Sequence, residues 1–241
     1  SVAIMSKVSL AVIGTGGMGQ NHLAHLVTRD NVQITALCDA DTDRVATLAK
    51  THNCKAFSNY NELIDSGIAD AILIATPHYA HTDIGIAALK AGLHVLVEKP
   101  ISVHKADCQR LLAAHQNKDQ VFSAMFGQRS LPLYQKLKHV LTEGHLGELT
   151  RVNWIITNWF RTAFYYKRGA WRATWAGEGG GVLLNQCPHQ LDLLWWLTGM
   201  PSKIRAFCHL GKWHDIEVED DVTAYLEYPN GATGCFIANT G

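Results

Sequence analysis

A lysine that directly follows an apolar run is the first candidate for chemistry in this chain. Residues 94–97 predict a short strand, and Glu98, Lys99 and Pro100 come next. Pro100 restricts Lys99 to an extended backbone, which fixes the direction of its side chain. A desolvated lysine has a lowered pKa and exchanges a proton with a hydroxyl group. Since a lone lysine at a strand end is usually solvated, its role depends on the ligand that the neighbouring residues hold.

A second candidate group follows three consecutive glycines, residues 179–181, in the C-terminal half. His189 lies at the start of a predicted helix and is a candidate base, because histidine titrates near neutral pH. Asp192, one helical turn later, shares a face with His189, where it either orients the imidazole or pairs locally. Asn185 exchanges no proton but donates and accepts hydrogen bonds, which suits it to position a substrate. An isolated histidine at a helix start is often structural, and this alternative stays open.

A glycine-rich turn follows the first predicted strand, Val8–Ile13, at the start of the first predicted helix. Its G-x-G-x-x-G spacing is typical of a loop that binds a dinucleotide: Gly14 permits the tight turn, Gly16 lets the backbone approach a pyrophosphate, and Gly19 lets the helix pack closely. The helix N-terminus adds amide donors and a positive dipole end. Glycine-rich turns are common, so the strand and helix around this one carry the argument. The predicted dinucleotide loop comprises Gly14, Thr15, Gly16, Gly17, Met18 and Gly19.

The type of dinucleotide is indicated by Asp39, which ends the second predicted strand. A carboxylate at this place accepts hydrogen bonds from the adenosine ribose diol and repels a 2′-phosphate. Asp41 adds to the repulsion, and Arg44 opposes it. The sequence therefore predicts NAD rather than NADP. The alternatives for Asp39 are a helix N-cap and a solvated acid in a loop. The remaining predicted cofactor-binding residues follow the fourth and fifth strands: Thr76, Pro77, His81, Glu98 and Lys99.

The elements that position these residues alternate strand and helix from residue 8 to residue 125. This alternation predicts parallel strands joined by crossover helices, that is, a doubly wound Rossmann sheet over residues 5–126. Ligands bind such a sheet at the carboxyl ends of its strands, which is where the residues named above lie. Strands are predicted at 8–13, 33–38, 55–57, 71–75, 94–97 and 121–125, and helices at 18–28, 44–51, 60–66, 80–91 and 105–115.

The second half of the chain, residues 127–241, predicts an α/β domain built on one mostly antiparallel, open sheet. Because the sequence stops directly after a strand, we expect the natural protein to continue beyond Gly241. We also expect its natural start at Met5, with residues 1–4 foreign to it. Strands are predicted at 150–160, 203–210, 219–228 and 233–239, and helices at 133–142 and 189–197.

An aromatic and basic stretch, residues 159–175, precedes the three glycines. Aromatic rings pack against the C–H faces of sugars, and guanidinium groups bind hydroxyls or acidic groups. We therefore take Tyr165, Trp171 and Arg172 as candidate substrate-binding residues. A domain or subunit interface has a similar composition, and the two interpretations are compatible.

Composition argues against several classes of function. Lys and Arg together number 21, as do Asp and Glu, so no long-range positive field would attract nucleic acid or an anionic membrane. The six cysteines contain no C-x-x-C pair, so we expect no metal site and no disulfide framework, but reduced thiols in the cytoplasm. No stretch is long and apolar enough to predict a membrane span or a signal peptide. These exclusions favour a small polar partner.

Taken together, these motifs resemble the glucose-fructose oxidoreductase / inositol dehydrogenase / MocA family. The resemblance covers nearly the whole chain and rests on residues 14–19, Asp39, Thr76-Pro77, Glu98-Lys99-Pro100 and residues 179–192. It implies a Rossmann domain followed by an α/β domain whose open sheet often forms oligomer contacts, and it implies that Lys99 and His189 act near the reacting carbon. Many relatives have an acid where this chain has Asn185, and this departure shifts the acid–base role towards His189 with Lys99.

The resemblance implies a NAD-dependent oxidoreductase that transfers a hydride between the nicotinamide and a carbinol of a sugar, a sugar derivative or a cyclitol. We also expect a homo-oligomer, either a dimer or a tetramer. Two alternatives stay open: a glycosidase of the same scaffold that retains and regenerates its NAD, and a non-catalytic sensor of sugars or dinucleotides. A dehydrogenase accumulates NADH with its substrate, whereas such a glycosidase does not. The pair Lys99 and His189 argues against a sensor, which has no need of a proton-exchange site.

Overall fold

The computed structural model describes residues 7–167, 169 and 171–241 of the chain. The natural start that we expect at Met5 lies outside these residues, as do positions 168 and 170 of the aromatic and basic stretch. The chain divides into two compact units. The first ends at Met125, and the second covers Phe126–Gly241. This division lies one residue from the predicted domain boundary.

Within the described residues, the first unit forms a six-stranded parallel sheet. Its strands are β1 (Val8–Ile13), β2 (Val32–Cys38), β3 (Lys55–Phe57), β4 (Ala71–Ile74), β5 (His94–Val97) and β6 (Phe122–Ala124). They follow the order β3-β2-β1-β4-β5-β6, which is that of a Rossmann fold. Strand β1 is buried on both faces, with Ala11 and Ile13 in one apolar cluster and Leu10 and Val12 in another. Burial on both faces is expected where helices cover both sides of a parallel sheet.

The helices of the first unit connect successive strands. They are α1 (Gly17–Leu26), α2 (Thr42–Thr51), α3 (Tyr60–Asp65), α4 (Ala80–Lys90) and α5 (Lys105–Ala114). Side chains cap two of them: the Asp41 carboxylate accepts from the N–H of Arg44 at the start of α2, and Asn59 accepts from Asn61 at the start of α3. Helix α1 differs, because its N-cap residue is Gly16, which has no side chain to accept a hydrogen bond.

The second unit is built on a mixed four-stranded sheet in the described residues. Its elements are α6 (Pro132–Thr142), β7 (Arg151–Ile156), α7 (Ala163–Lys167), α8 (Pro188–Thr198), β8 (Lys203–Leu210), β9 (Glu219–Glu227) and β10 (Thr233–Asn239). The strand order is β7-β10-β9-β8; β7 pairs parallel with β10, and the other two pairs are antiparallel. The predicted α/β unit with a mostly antiparallel sheet is therefore confirmed. Apolar residues of β7, β9 and β10 share a core with Leu194 of α8, whereas β8 is exposed along its whole length.

The predicted strands and helices are all present, and apart from one strand their ends agree with the prediction to within two residues. The largest difference concerns the strand predicted to reach residue 160, which ends at Ile156. Three short elements are not predicted from the sequence, namely α7, a 3-10 turn at Gly127–Ser130 and a π-helical turn at Val182–Gln186, because four or five residues are too few to show a periodicity. No helix of the described residues combines the length and the hydropathy that a membrane span requires.

Candidate functional site

The carboxyl edge of the parallel sheet gathers the predicted cofactor-binding residues of the first unit. The ladders leave the last residues of β1, β2, β4 and β5 opposite one another. The segments that leave this edge are residues 14–19, Asp39, Thr76-Pro77 and Glu98-Lys99. Open α/β sheets bind their ligands at this edge, so these residues have the placement that a dinucleotide site requires.

At two positions of the loop, the close packing of the surrounding backbone requires glycine. Gly14 has a φ of +92°, and a Cβ on it would lie 2.6 Å from the carbonyl carbon of Ala75. A Cβ on Gly19 would lie only 1.9 Å from the carbonyl oxygen of Gly14. A larger residue at position 19 would push α1 away from the end of β1, and one at position 14 would push the loop away from the segment that follows β4.

Gly16 is required by neither of these constraints, because a Cβ there would meet no atom of the described chain within 4 Å. It faces open space at the N-terminus of α1, which no side chain caps. The first N–H groups of a helix are hydrogen-bond donors at the positive end of its dipole. This open set of donors fits the pyrophosphate of a dinucleotide, and a side chain on Gly16 would fill the cradle.

Asp39 braces the same loop. Its Oδ2 accepts hydrogen bonds from the N–H and the hydroxyl of Thr15 at 2.7 and 2.9 Å, and its Oδ1 accepts from the Asp41 N–H and the Arg44 guanidinium. Burial raises the pKa of Asp39, but these hydrogen bonds and the Arg44 charge outweigh it, so the pKa lies below its ordinary value. Asp39 is therefore an ionised acceptor at the place where an adenosine ribose would bind. The predicted contact with the ribose stays a prediction.

Thr76 and His81 lie on the next segment, between β4 and α4. The Thr76 hydroxyl is buried and makes no hydrogen bond within the described part of the chain, so it is an available polar group for a ligand. His81 is fully buried, and its ring nitrogens lie 2.7 Å from the Pro100 carbonyl oxygen and 2.8 Å from that of Thr76. Burial lowers its pKa. His81 therefore joins the segment that follows β4 to the segment that follows β5. Direct contacts of His81 and of the exposed Pro77 with the cofactor stay predictions.

Glu98 is buried beside the predicted catalytic lysine. Its Oε1 lies 2.6 Å from Nε2 of His22 on α1, and its Oε2 accepts the N–H of Lys99 at 3.0 Å. Burial raises the pKa of Glu98, but the bonds from His22 and Lys99 outweigh it and lower the pKa below its ordinary value. Glu98 thus ties α1 to the end of β5 and fixes the backbone of the half-buried Lys99. No sequence motif marks His22 as its partner.

The glycine-rich segment of the second unit is held by a different acid. Glu219, at the start of β9, accepts the N–H groups of Gly181 and Leu183 at 2.9 and 3.0 Å. A Cβ on Gly181 would lie 2.0 Å from the Glu219 carbonyl oxygen, so only glycine fits there. The π-helical turn that follows places Asn185 in a buried position, where its amide donates to Glu178. No sequence motif marks either glutamate as a partner.

The three candidate substrate-binding residues of the aromatic stretch form one group with Arg161. The guanidinium of Arg172 stacks over the rings of Trp171 and Tyr165, at 4.6 and 4.9 Å, and donates to the Tyr165 hydroxyl at 3.0 Å. Arg161 lies over the same tyrosine ring at 5.2 Å. Arg172 also lies 3.7 Å from Glu178, which joins this group to Asn185. The arrangement offers aromatic faces and charged donors side by side.

His189 lies half-buried in the first turn of α8, with its ring edge-on to Phe126 at 5.9 Å. Asp192 forms a two-bond ion pair with Arg129, in which Nε donates to Oδ2 at 2.7 Å. Asp192 therefore pairs with a residue 63 positions away in the chain, and its predicted role in orienting the His189 imidazole stays a prediction. In the described part of the chain, no group of three or more His, Cys, Asp or Glu side chains is arranged to hold a metal ion.

Comparison with known proteins gives the same assignment for both units. Residues 8–126 match the model of an oxidoreductase family with an NAD-binding Rossmann fold, named GFO_IDH_MocA, and residues 134–241 match the C-terminal domain of that family. The chain belongs to the GFO/IDH/MocA family. The predicted family and the predicted NAD-binding Rossmann domain are therefore confirmed.

Several members of the GFO/IDH/MocA family resemble the chain closely. It is 30% identical over 220 residues to trans-1,2-dihydrobenzene-1,2-diol dehydrogenase of Bos taurus, covering 90% of this chain and 63% of that protein. It is 31% identical over 141 residues to inositol 2-dehydrogenase of Salmonella typhimurium, covering 57% and 42%. The WlbA dehydrogenase of Bordetella pertussis, solved with NADH and UDP-GlcNAcA, superposes with a TM-score of 0.90 at 27% identity, covering 97% and 72%. The chain thus spans less than two thirds of the two curated relatives named here.

The structure brings part of the predicted residues of this family member together within each unit, while the contact that it gives for His189 is with Phe126. In the first unit, the glycine loop, Asp39, Thr76 and Lys99 leave one edge of the sheet. In the second unit, Asn185 and Arg172 meet at Glu178. Three partners of the site belong to no predicted motif and are buried or partly buried polar residues: His22, Glu178 and Glu219. Glu178 has one signal, a single charge between glycines, whereas His22 and Glu219 have polar neighbours in the sequence and no such signal.

Proposed function

We propose that the chain is a NAD-dependent oxidoreductase that transfers a hydride between the nicotinamide and a carbinol of a sugar, a sugar derivative or a cyclitol. The observation that carries this proposal is that four features share the carboxyl edge of the parallel sheet: the uncapped N-terminus of α1, the ionised Asp39, the buried hydroxyl of Thr76, and Lys99. NAD, when bound, supplies the hydride acceptor at this edge.

The relatives support the chemical class of the substrate. Two are dehydrogenases named for a diol of a six-membered ring and for inositol, and one was solved with a nucleotide-linked sugar acid. Ring carbinols with neighbouring hydroxyls are common to these names. The stack of Tyr165, Trp171 and Arg172 suits such a ring, because aromatic faces pack on C–H surfaces and guanidinium groups bind hydroxyls.

We assign proton exchange with the substrate hydroxyl to Lys99, whose backbone is fixed by the acceptor Glu98. His189 is the second candidate base, because imidazole is the side chain that most often acts as a general acid or base in enzymes. In the oxidative direction, the base takes the hydroxyl proton as the hydride leaves the same carbon. Asn185 exchanges no proton at neutral pH and is assigned to positioning the substrate.

A panel of sugars and inositols tests the proposed function. The purified protein is incubated with NAD and each compound, and NADH is followed by absorbance, while calorimetry measures NAD affinity. We expect NADH to accumulate with at least one ring polyol. If NAD binds but no compound yields NADH, the oxidoreductase proposal is wrong. NAD-dependent turnover without accumulated NADH would instead indicate a cofactor that is regenerated in each cycle.

We also propose that the chain forms a homo-oligomer through the outer face of the four-stranded sheet. Ile155, Phe207 and Tyr225 lie on that face and are about half exposed, so they form an apolar surface larger than scattered residues would give. Light scattering after size exclusion should give a multiple of the monomer mass, and Phe207→Lys should shift it towards the monomer. A monomer at micromolar concentration would contradict the proposal.

A further inference from the structure

Glu178 is a buried acid whose two carboxylate oxygens contact different kinds of partner. The residue is only 2% exposed. Its Oε2 accepts the backbone N–H of Ala173 at 2.7 Å. Its Oε1 accepts a hydrogen bond from the Asn185 amide and lies 3.7 Å from the Arg172 guanidinium. One oxygen thus contacts the backbone, and the other contacts two side chains that we have assigned to the substrate.

The backbone contact explains a bracing role for one oxygen only. Ala173 has a φ of +57°, a left-handed conformation that residues other than glycine seldom adopt. An acceptor for its N–H stabilises this turn. A neutral acceptor would serve equally well, so the contact with Ala173 gives no reason for a carboxylate at position 178.

The charge of Glu178 is unfavourable where it lies. Burial raises its pKa, and the nearby Glu219 carboxylate raises it further, while Arg172, Asn185 and the Ala173 N–H lower it less. Tyr166 is a further titratable group near Glu178; its hydroxyl is hydrogen-bonded to that of Thr240, and burial raises its pKa to about 12. A buried carboxylate with a raised pKa costs folding free energy when it ionises. Stability alone therefore does not account for this acid.

We propose that Glu178 is the positioning residue of the substrate site, where it fixes the Asn185 amide and the Arg172 guanidinium for a pair of neighbouring hydroxyls. This inference rests on the function proposed above. Because the amide nitrogen of Asn185 faces Glu178, its carbonyl oxygen is turned away and accepts from one hydroxyl. Arg172 is held between Glu178 and the Tyr165 hydroxyl and donates to the next hydroxyl.

The substitution Asn185→Asp is the most direct test, because it places a second carboxylate against Oε1 of Glu178. Two carboxylates in contact do not both ionise at neutral pH, so they share one proton. With NAD and the best ring polyol of the panel, or myo-inositol, we expect kcat/KM to fall by about tenfold or more. The acid limb of its pH profile should move to higher pH.

The double variant Asn185→Asp/Glu178→Gln should restore most of this loss. It exchanges the charge between the two positions, and the amide of the new residue 178 donates to the new carboxylate. Glu178→Gln alone should raise KM more than it lowers kcat, because its effect is on binding geometry. If the losses of the two single variants simply multiply in the double variant, Glu178 does not position Asn185 and the inference is overturned.

Glu219 provides a matched control. It is also buried, but the hydrogen bonds of its carboxylate go to the backbone N–H groups of Gly181 and Leu183. Glu219→Gln should lower the free energy of unfolding, yet it should give no rescue when combined with Asn185→Asp. Rescue by Glu219→Gln of the same size as rescue by Glu178→Gln would show a general effect of charge, which would also overturn the inference.

A readout without turnover separates this inference from the proposed function. In the free protein, the side-chain amide protons of Asn185 should be protected from exchange and shifted downfield in NMR spectra, and Glu178→Gln should move them far more than Glu219→Gln does. Unchanged Asn185 signals would overturn the inference whatever the kinetics. If no compound of the panel is turned over, the proposed function fails, while these signals still decide whether Glu178 fixes the amide.

Discussion

Glu98 in the first unit and Glu178 in the second are both buried, yet their pKa values are shifted in opposite directions. Oε1 of Glu98 lies 2.6 Å from Nε2 of His22, and its Oε2 accepts a hydrogen bond from the Lys99 N–H at 3.0 Å. Glu178 accepts hydrogen bonds from a backbone N–H and from a neutral side-chain amide. Its cationic neighbour Arg172 lies 3.7 Å away, and the Glu219 carboxylate is nearby. Burial is similar in the two cases, so the partners decide the ionisation.

The difference separates two uses of a buried carboxylate. In the first unit, the acid joins α1 to the end of β5 and thereby holds the edge on which the dinucleotide is expected to bind. In the second unit, Glu178 orients neighbouring polar side chains, and its burial lowers the stability of the fold. Substitutions at and around the two glutamates should therefore differ in kind: those at Glu98 affect stability, and those at Glu178 affect substrate recognition.

The largest expected effect is on turnover, and it is expected for Lys99, the neighbour of Glu98. Lys99→Met should lower kcat by about 10²- to 10⁴-fold, the range for loss of a general acid or base, and leave NADH affinity nearly unchanged. Steady-state kinetics and NADH titration measure the two quantities. If NADH affinity collapsed while turnover at saturation survived, Lys99 would act only through its predicted contact with the cofactor and not in proton exchange.

Glu98→Ala should cause the largest loss of stability, about 2–4 kcal/mol in the free energy of unfolding, because the partly buried His22 and the Lys99 N–H both lose their acceptor. Urea denaturation measures it. The control is Asp83→Ala, which removes a solvent-exposed ion pair with Arg110 and should cost below about 1 kcal/mol. Equal losses in the free energy of unfolding would mean that the contact with His22 stabilises the fold no more than an exposed ion pair does.

Asp39 extends the comparison to an acid that braces a loop and is expected to bind the cofactor. NAD should bind at least about tenfold better than NADP, roughly 1.4 kcal/mol, and Asp39→Ser should narrow the difference by removing the repulsion of a 2′-phosphate. Asp41→Ser is the matched control, because Asp41 also pairs with Arg44 but is more exposed. Calorimetry with both dinucleotides measures the ratio, and equal affinities in the unsubstituted protein would contradict the prediction.

The smallest expected effect is in the pH dependence of stability, where the two glutamates should act with opposite sign. The pKa of Glu98 is lowered on folding, so its contribution is present above the ordinary value of 4.5 and is lost as the pH falls through the folded value. The pKa of Glu178 is raised, so its contribution falls as the pH rises above 4.5.

Unfolding free energies from neutral pH down to about pH 3 should therefore separate the two variants. Glu98→Gln should reduce the loss of stability on acidification, and Glu178→Gln should increase it. Slopes that change in the same direction would mean that the partners do not determine the ionisation of these acids.

Much of the first unit could be predicted from local sequence, because its rules are local. The alternation of apolar strands and helices, the glycine spacing and the residues that end each strand predict the sheet and place Asp39, Thr76 and Lys99 at its carboxyl edge. In the second unit the strands are equally legible, but the π-helical turn that positions Asn185 is too short to leave a pattern.

The sequence by itself determined the family, the Rossmann sheet and the glycine loop, since each depends on backbone conformation and on residues close together in the chain. Only the tertiary structure decided that His22 meets Glu98, 76 residues away, that Glu178 turns back onto Asn185 and Arg172, and that Asp192 pairs with Arg129. Such pairings depend on how side chains are buried together, because a desolvated charge is stabilised by whichever partners the fold places around it.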